Sequence, residues 1–326
     1  RIHGKATSCN TLDFGAFAPA LEGLRLTAGY RYTWDRIKGF QTSWTPNADG
    51  TTATRRLNGI TPVSTLPIGD VDQCNFSAKL KSNAPTWTFG LDYRPSANLM
   101  LYAKVSRGYK SGGFNTLAVR AEQQTFQPER LITYEGGFKS NWSLGGTALL
   151  FNATYFYSDY SNIQRPTGDR NPITGVAGAQ ILGAKARIQG VEVEASARPA
   201  RWLEIGGNLS FTDADYKKFE VVTPFGALAC NGIIAPGGLA DYSCRPFQFV
   251  TRWIYNLHAS IDLPVSDALG DVSLYVNYSH FSKQATAPLG DAVVEPGSVL
   301  EPYGLLNASL NWKNIASSGI DAGLFA

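Results

Sequence analysis

The sequence lacks features that mark two common classes of protein. Nowhere do about eighteen apolar residues follow one another, the length that a membrane-spanning helix requires, and the mean hydropathy is −0.14. Neither sign of charge dominates, because 29 lysines and arginines oppose 26 aspartates and glutamates and leave a net charge of +3. The composition therefore excludes a bundle of membrane-spanning helices and gives no indication of nucleic-acid binding.

Motifs of catalytic and metal-binding sites are also missing. The sequence contains no GxSxG, HExxH, Walker A or GxGxxG motif in a supporting context, so we predict neither an enzyme nor a bound cofactor. Its four cysteines form no CxxC pair and do not have zinc-finger spacing, so we predict no metal site.

The four cysteines fall in loop-like segments. Cys230 and Cys244 enclose thirteen residues of a loop rich in glycine and proline, and we expect a disulfide between them. Cys9 with Cys74 would then form a second disulfide. Four free thiols are the alternative.

Aromatic residues are abundant, at 12% of the chain, and they favour β-strands. Ten segments alternate apolar and polar residues, the period that gives a strand one apolar and one polar face. These segments are 24–35, 86–93, 99–110, 128–140, 147–160, one that ends at 198, 203–211, 247–262, 272–279 and 306–312. An eleventh begins near Ile320. The fourth and fifth segments have mixed alternation, which leaves their faces unassigned.

The links between these segments are short and long in turn. The short links are 94–98, 141–146, 199–201, 264–270 and 314–319, and the long ones are 36–85, 111–127, 161–183, 213–245 and 282–300. Loops as long as the second set are uncommon in compact domains. An up-and-down antiparallel sheet places all short turns at one rim and all long loops at the other, as outer-membrane barrels do. We therefore predict an all-β fold, a transmembrane antiparallel up-and-down β-barrel.

Aromatic residues at the strand ends are consistent with two membrane interfaces. Those beside long links are Tyr32, Trp34, Trp87, Tyr155, Tyr157, Phe247, Phe249, Tyr278, Phe281 and Tyr303, and those beside short links are Tyr93, Trp142, Trp202 and Trp312. Tyrosine and tryptophan prefer the two interfaces of a membrane. The long loops would then lie outside the cell, and the polar faces would line a lumen. The alternative is a β-sandwich whose core the aromatic residues cap.

Residues on the polar face or at the outer mouth are candidates for ligand binding. We select Lys104, Arg107, Tyr109, Lys110 and Arg252. The four cations would attract an anionic ligand, and Tyr109 would pack against it. Alternatively, the cations pair with carboxylates and Tyr109 has a packing role. We expect Glu192 and Glu194 to pair with arginine or lysine rather than to contact a ligand.

Several segments resemble the barrel of TonB-dependent outer-membrane receptors. The similar stretches are LRLTAGYRYT at 24–33, LYAKVSRGYKSGGFN at 101–115, FQPE at 126–129, YEGGFKS at 134–140, NATYFYSDY at 152–160 and IQGVEVE at 188–194, in family order. The resemblance implies a barrel of about 22 strands, plugged by an N-terminal domain. It also implies TonB-driven uptake of a scarce ligand, often a ferric siderophore.

The resemblance further implies that residues 1–326 are the C-terminal part of such a barrel domain, roughly its second half. We expect about eleven strands here, without the plug domain or the final strand, in the bacterial outer membrane. The expected partners are membrane lipid, TonB through the plug domain, and a small molecule such as a ferric siderophore, but not nucleic acid. Receptors for haem, cobalamin and oligosaccharides share these motifs, so the ligand stays open. A passive porin-like channel and a soluble β-rich binding or adhesion module are the alternatives.

Overall fold

The computed structural model describes residues 3–6, 10–13, 22–42, 44–55, 65–67, 75–118, 123–170, 177–223, 226–287 and 297–326. Thirteen strands form one antiparallel sheet. They are β1 (His3–Ala6), β2 (Asn10–Asp13), β3 (Leu24–Thr42), β4 (Asn75–Ser96), β5 (Leu99–Lys110), β6 (Glu129–Leu144), β7 (Thr147–Arg170), β8 (Ala177–Ala200), β9 (Leu203–Lys218), β10 (Trp253–Leu263), β11 (Asp271–Phe281), β12 (Tyr303–Lys313) and β13 (Ala322–Phe325). From β3 onward each strand pairs with the next, and β1 and β2 both pair with the other edge of β3. The predicted up-and-down order of eleven strands is confirmed for β3 to β13.

The register of the strands gives the sheet one apolar and one polar face. Leu26 lies opposite Leu91, and Leu91 lies opposite Ala103, so apolar residues form rows across neighbouring strands. On the other face Lys104 lies opposite Glu135. The register also assigns the two strands that alternation leaves open. The even residues of β6 and the odd residues of β7, up to position 159, lie on the side of the apolar rows.

The apolar face is uncovered in the described part of the chain. Phe89, Tyr155 and Leu257 are exposed to 53%, 50% and 57% of their surfaces, and many other large apolar side chains on this face are also exposed. So large an apolar surface requires an apolar medium. The sheet therefore has the surface that a membrane-facing wall needs.

Several strands are longer than the alternation predicts. Strands β7 and β8 contain 24 residues each, so the predicted loop 161–183 is largely strand. Likewise β3 extends to Thr42 and β4 begins at Asn75. Cross-strand hydrogen bonds continue to satisfy the backbone beyond the apolar rows, whereas the side chains there no longer need to alternate. The pattern thus detects only the part of each strand that has an apolar face.

A β-bulge interrupts β7 and exchanges the faces of its outer part. Tyr160 lies opposite Ala186, but the next pair is Ile163 with Ala184, so β7 contains one extra residue. Within the bulge Asn162 has a φ of 57°, in the left-handed region that asparagine tolerates better than most residues. Beyond the bulge the odd residues of β7 face the polar side of the sheet.

The buried core lies at the long-loop end and not in the middle of the sheet. It consists of Ile163, Ala184, Ala186, Tyr216, Phe219, Val221 and Phe247. The segment after β9 folds back over the inner side of β7 to β9 and supplies three of these residues. Accordingly, β10 begins at Trp253 and not at 247 as predicted, because Phe247 packs into this core. No helix among the described residues is long and apolar enough to cross a membrane.

Candidate ligand-binding site

The polar face borders a cavity of about 760 Å³. Its lining comprises Tyr102, Thr133, Glu135, Lys139, Asn152, Thr154, Phe156, Glu192, Val193, Glu194, Asn208, Leu209, Ser210 and Ile254. Most of these residues come from alternate positions of β5 to β9, which strand geometry directs to one face. The inner wall therefore offers hydroxyl, amide and carboxylate groups to a polar occupant.

Hydrogen bonds and an ion pair order this inner wall. Lys104 Nζ lies 2.7 Å from Glu135 Oε2, and the Tyr102 and Thr154 hydroxyls are 2.6 Å apart. Asn152 Nδ2 donates to Glu194 Oε2 at 2.9 Å. Among the described residues no lysine or arginine lies within 4.0 Å of Glu192 or Glu194, so the expectation that they pair with such a cation stays a prediction. The neighbouring strands place threonine, asparagine and serine opposite them.

A buried carboxylate organises the outer end of the inner wall. Glu129, at the start of β6, is only 5% exposed. It accepts hydrogen bonds from the Tyr160 hydroxyl at 2.5 Å, the Gln164 backbone N–H at 2.9 Å and Lys110 Nζ at 3.2 Å. Gln164 in turn donates from Nε2 to the Ser111 carbonyl at 3.0 Å. Glu129 thus joins β5, β6 and the bulge of β7, and Gln164 connects the bulge to the loop that follows β5.

These contacts shift the pKa values of the two central groups in opposite directions. Burial alone would raise the pKa of Glu129, but the hydrogen bonds from Tyr160, the Gln164 amide and Lys110 outweigh burial and lower it. Burial, followed by the hydrogen bond to Glu129, raises the pKa of Tyr160 to about 12. At neutral pH Glu129 is therefore ionised, and Tyr160 is the neutral donor to it.

The long segment between β9 and β10 is closed by a disulfide. Cys230 and Cys244 are joined at an S–S distance of 2.06 Å, which is the pairing expected from the sequence. The Cys230 N–H also donates to the Asp241 carbonyl at 2.7 Å. Cys9 and Cys74 lie outside the described residues, and their pairing stays a prediction. The disulfide closes the loop that lies between Phe219 and Phe247, both of which pack into the buried core.

A cation lies against this buried cluster on the inner side. The Arg165 Cζ is 4.5 Å from the ring centroid of Phe247 and 5.7 Å from that of Tyr216. Its Nε–H is buried and donates to no acceptor in the described structure. Within the described residues no carboxylate lies within 4.0 Å of its guanidinium. Arg165 therefore relies on aromatic rings and solvent to stabilise its charge.

The five residues selected from the sequence do not form one site. Lys104 and Lys110 face inward as predicted, and each forms an ion pair. Arg107 faces outward, opposite Trp87 and Ile132 near the long-loop end of the sheet, so it does not line the lumen.

The other two selected residues have local partners. The Tyr109 hydroxyl donates to Ser82 Oγ at 2.7 Å. Arg252 precedes β10, with Cζ 5.4 Å from the Phe211 ring and Nη2 3.8 Å from Asp213 Oδ1. Phe211 and Asp213 occupy outward positions of β9, so Arg252 lies on the outer side of the rim and not in the lumen.

The sequence did not lead us to select Glu129 or Arg165, which lie at the outer end of the inner wall. Glu129 is part of the FQPE stretch, and an acidic residue at a strand start, after proline, is only a weak signal of a site. Arg165 gives no signal at all, since alternation extended through the bulge would direct it outward. Only the register of β7 and β8 shows that it faces inward.

Comparison with known proteins identifies this architecture. The family described as "TonB dependent receptor-like, beta-barrel" matches residues 10–322, nearly the whole chain. The chain belongs to the TonB-dependent receptor family. Receptors of this family are transporters of the bacterial outer membrane, so the apolar face of the sheet is the lipid-facing side and the polar face lines the lumen.

Solved structures of TonB-dependent receptors share the fold at low sequence identity. The ferric yersiniabactin uptake receptor FyuA from Yersinia pestis is 16% identical, with a TM-score of 0.56 over 89% of this chain and 35% of its own. The siderophore receptor PiuA from Acinetobacter baumannii is 14% identical, with a TM-score of 0.59 over 93% and 36%. The copper transporter OprC is 13% identical, with a TM-score of 0.61 over 90% and 38%. The chain thus spans little more than a third of these receptors.

Proposed function

We propose that the chain is part of an outer-membrane receptor that takes up a ferric siderophore with energy delivered through TonB. The family match over residues 10–322 carries this proposal. Residues 1–326 would form about half of the barrel, and the plug domain, the TonB contact and the final strand would belong to the rest of the receptor. The coverage of 35% and 36% of two matched receptors supports this division.

The inner wall supports occupation of the lumen by a protein partner. Glu192 and Glu194 line the cavity with no lysine or arginine in ion-pair distance among the described residues. Two neighbouring carboxylates on a concave wall attract positive charge. A plug domain that presents lysine or arginine to β8 would satisfy them.

The choice of a ferric siderophore rests on the structural relatives. One of the three is named a ferric yersiniabactin uptake receptor, another a siderophore receptor, and the third a copper transporter. Lys104 and Lys110 face the lumen and stay candidates for contact with an anionic chelate. Because Glu135 and Glu129 already partly neutralise them, we assign them a secondary part in binding.

Uptake of radioactive iron tests the proposal in cells. Iron-starved cells with and without the full-length gene would be supplied with a panel of ferric siderophores, in backgrounds with intact or inactivated TonB. We expect uptake of at least one chelate to require both the gene and TonB. Uptake that persists without TonB would indicate a passive channel, and uptake of copper alone would replace iron as the cargo.

Fractionation tests the remaining alternative. We expect the full-length protein in the outer membrane, with migration in gel electrophoresis that changes on heating, as folded barrels show. Recovery as a soluble monomer would support the soluble β-rich module instead.

A further inference from the structure

The bulge in β7 directs one arginine to the inner side of the mouth. Up to position 159 the odd residues of β7 face outward, as Tyr155 does opposite Val191. The extra residue between Tyr160 and Ile163 reverses this order, so that Ile163 and Arg165 face inward. Bulges commonly redirect side chains beside functional sites. Here the redirected side chain is a cation at the entrance of a receptor lumen.

Glu129 fixes this bulge in place. Its carboxylate accepts from Tyr160 immediately before the bulge and from the Gln164 N–H immediately after it. The same side chain holds Lys110 on β5. Arg165 therefore extends from a backbone whose position is set by a buried, ionised group.

The residues around Arg165 stabilise its positive charge but do not neutralise it. The Phe247 and Tyr216 rings support the guanidinium from the side of the buried cluster, and both rings are almost fully buried. By contrast, the other cations singled out at this end, Lys110 and Arg252, have carboxylates within 3.2 Å and 3.8 Å. A half-buried guanidinium without a carboxylate keeps its full attraction for an incoming anion.

We propose that Arg165 receives an anionic oxygen group of the ligand at the outer mouth, with Glu129 as the residue that positions it. The inference rests on the uptake function proposed above and adds the charge of the ligand to it. A chelate with exposed catecholate, carboxylate or phosphate oxygens would bind in preference to an uncharged chelate of similar size. Planar, bidentate recognition of such oxygens is the property in which arginine exceeds lysine.

Equilibrium binding to the purified full-length receptor tests the assignment. The probes are a trianionic ferric tris-catecholate complex and an uncharged ferric tris-hydroxamate complex, followed by quenching of tryptophan fluorescence. We expect the wild-type receptor to prefer the trianionic complex, and Arg165→Gln to weaken its binding about tenfold or more, as loss of a charged hydrogen bond does. Arg165→Lys should restore part of the affinity. Binding of the uncharged complex should change little in either variant.

A matched variant separates recognition by Arg165 from a general loss of positive charge. Lys217 lies on the outward side of β9, where its Nζ is 3.6 Å from Asp159 Oδ1. Lys217→Gln removes the same charge at a similar height and should leave both affinities unchanged. Heat-modifiable migration shows that each variant is folded.

Two results would overturn the assignment. One is equal affinity of the wild-type receptor and Arg165→Gln for the trianionic complex, and the other is a wild-type receptor without preference for that complex. Failure of the uptake proposal has a different signature, namely iron uptake that does not depend on the gene or on TonB. Separate measurements therefore test the two inferences.

Discussion

Replacing Glu129 with glutamine tests whether this carboxylate holds the bulge. The variant keeps the size of the side chain but removes its charge and leaves a single acceptor oxygen. The Tyr160 hydroxyl and the Gln164 N–H both point at the present carboxylate, so one of these donors loses its partner. An unsatisfied buried donor costs about 1–3 kcal/mol.

The third partner adds little to this cost. Lys110 is 64% exposed at its side chain, and an exposed ion pair contributes about 1 kcal/mol or less. We therefore expect the local free energy of opening at the bulge to fall by about 2–3 kcal/mol. Since 1.4 kcal/mol corresponds to a factor of ten, backbone amides at 160–168 should exchange about 30 to 140 times faster.

Hydrogen exchange followed by mass spectrometry on the full-length receptor measures this change. Glu135→Gln is the matched control, because Glu135 lies on the same strand and face and pairs with Lys104 at 2.7 Å. Both of those side chains are partly exposed, at 25% and 42%, so the control should cost about 1 kcal/mol or less. Unchanged exchange at 160–168 in Glu129→Gln, or equal effects of the two variants, would refute the role assigned to Glu129.

Three further predictions concern the loop, the faces and pH. Changing Cys230 and Cys244 to serine removes the cross-link of a loop of about 15 residues, which stabilises the folded loop by about 3 kcal/mol. Protease added to intact cells should then cleave within 226–250, while the barrel keeps its heat-modifiable migration. Unchanged resistance of this loop to the protease would contradict the prediction. Leu209→Lys on the lipid-facing side should lower the free energy of unfolding by about 2–4 kcal/mol, measured by urea titration of folding into vesicles. Asn208→Lys on the lumen side should lower it much less. The reverse order would invalidate the assigned faces. Because the pKa of Glu129 is lowered from its usual 4.5, its contribution to stability is present above that value and is lost as the pH falls through the lowered pKa. Protection of the amides at 160–168, measured against their intrinsic exchange rates, should fall there in the wild type but not in Glu129→Gln.

The order of the strands was predictable because each strand has one face in lipid. That requirement imposes alternation on residues such as those around Leu26 and Leu209, and the topology follows from the lengths of the links. The outer extensions were not predictable in the same way. Beyond position 160 in β7, and in the paired part of β8, both faces of the sheet contact water or loop residues. No face there lies in lipid, so apolar and polar residues have no reason to alternate.

The candidate site was predictable only in its general chemistry. Cations do occur at the outer mouth, and Lys104 and Lys110 do face the lumen. Arg107 does not line the lumen, because the register places it in one outward row with Trp87 and Ile132. Arg165 depends on one extra residue in β7 and on Phe247, which lies about eighty positions away in the sequence. Contacts of that kind are long-range and leave no local pattern.

The bulge also has a consequence for how receptors of this kind diverge. Loss of a single codon at 161–162 would restore the simple alternation of β7. Every residue from Ile163 outward would then exchange its inner and outer position, while the lipid-facing rows below Tyr160 would stay as they are. The entrance would present a new set of side chains in one mutational step, without any change to the part of the wall that the membrane constrains. If Arg165 contacts the ligand as proposed, a one-residue insertion or deletion here would change the lumen-facing side chains at the entrance without any substitution.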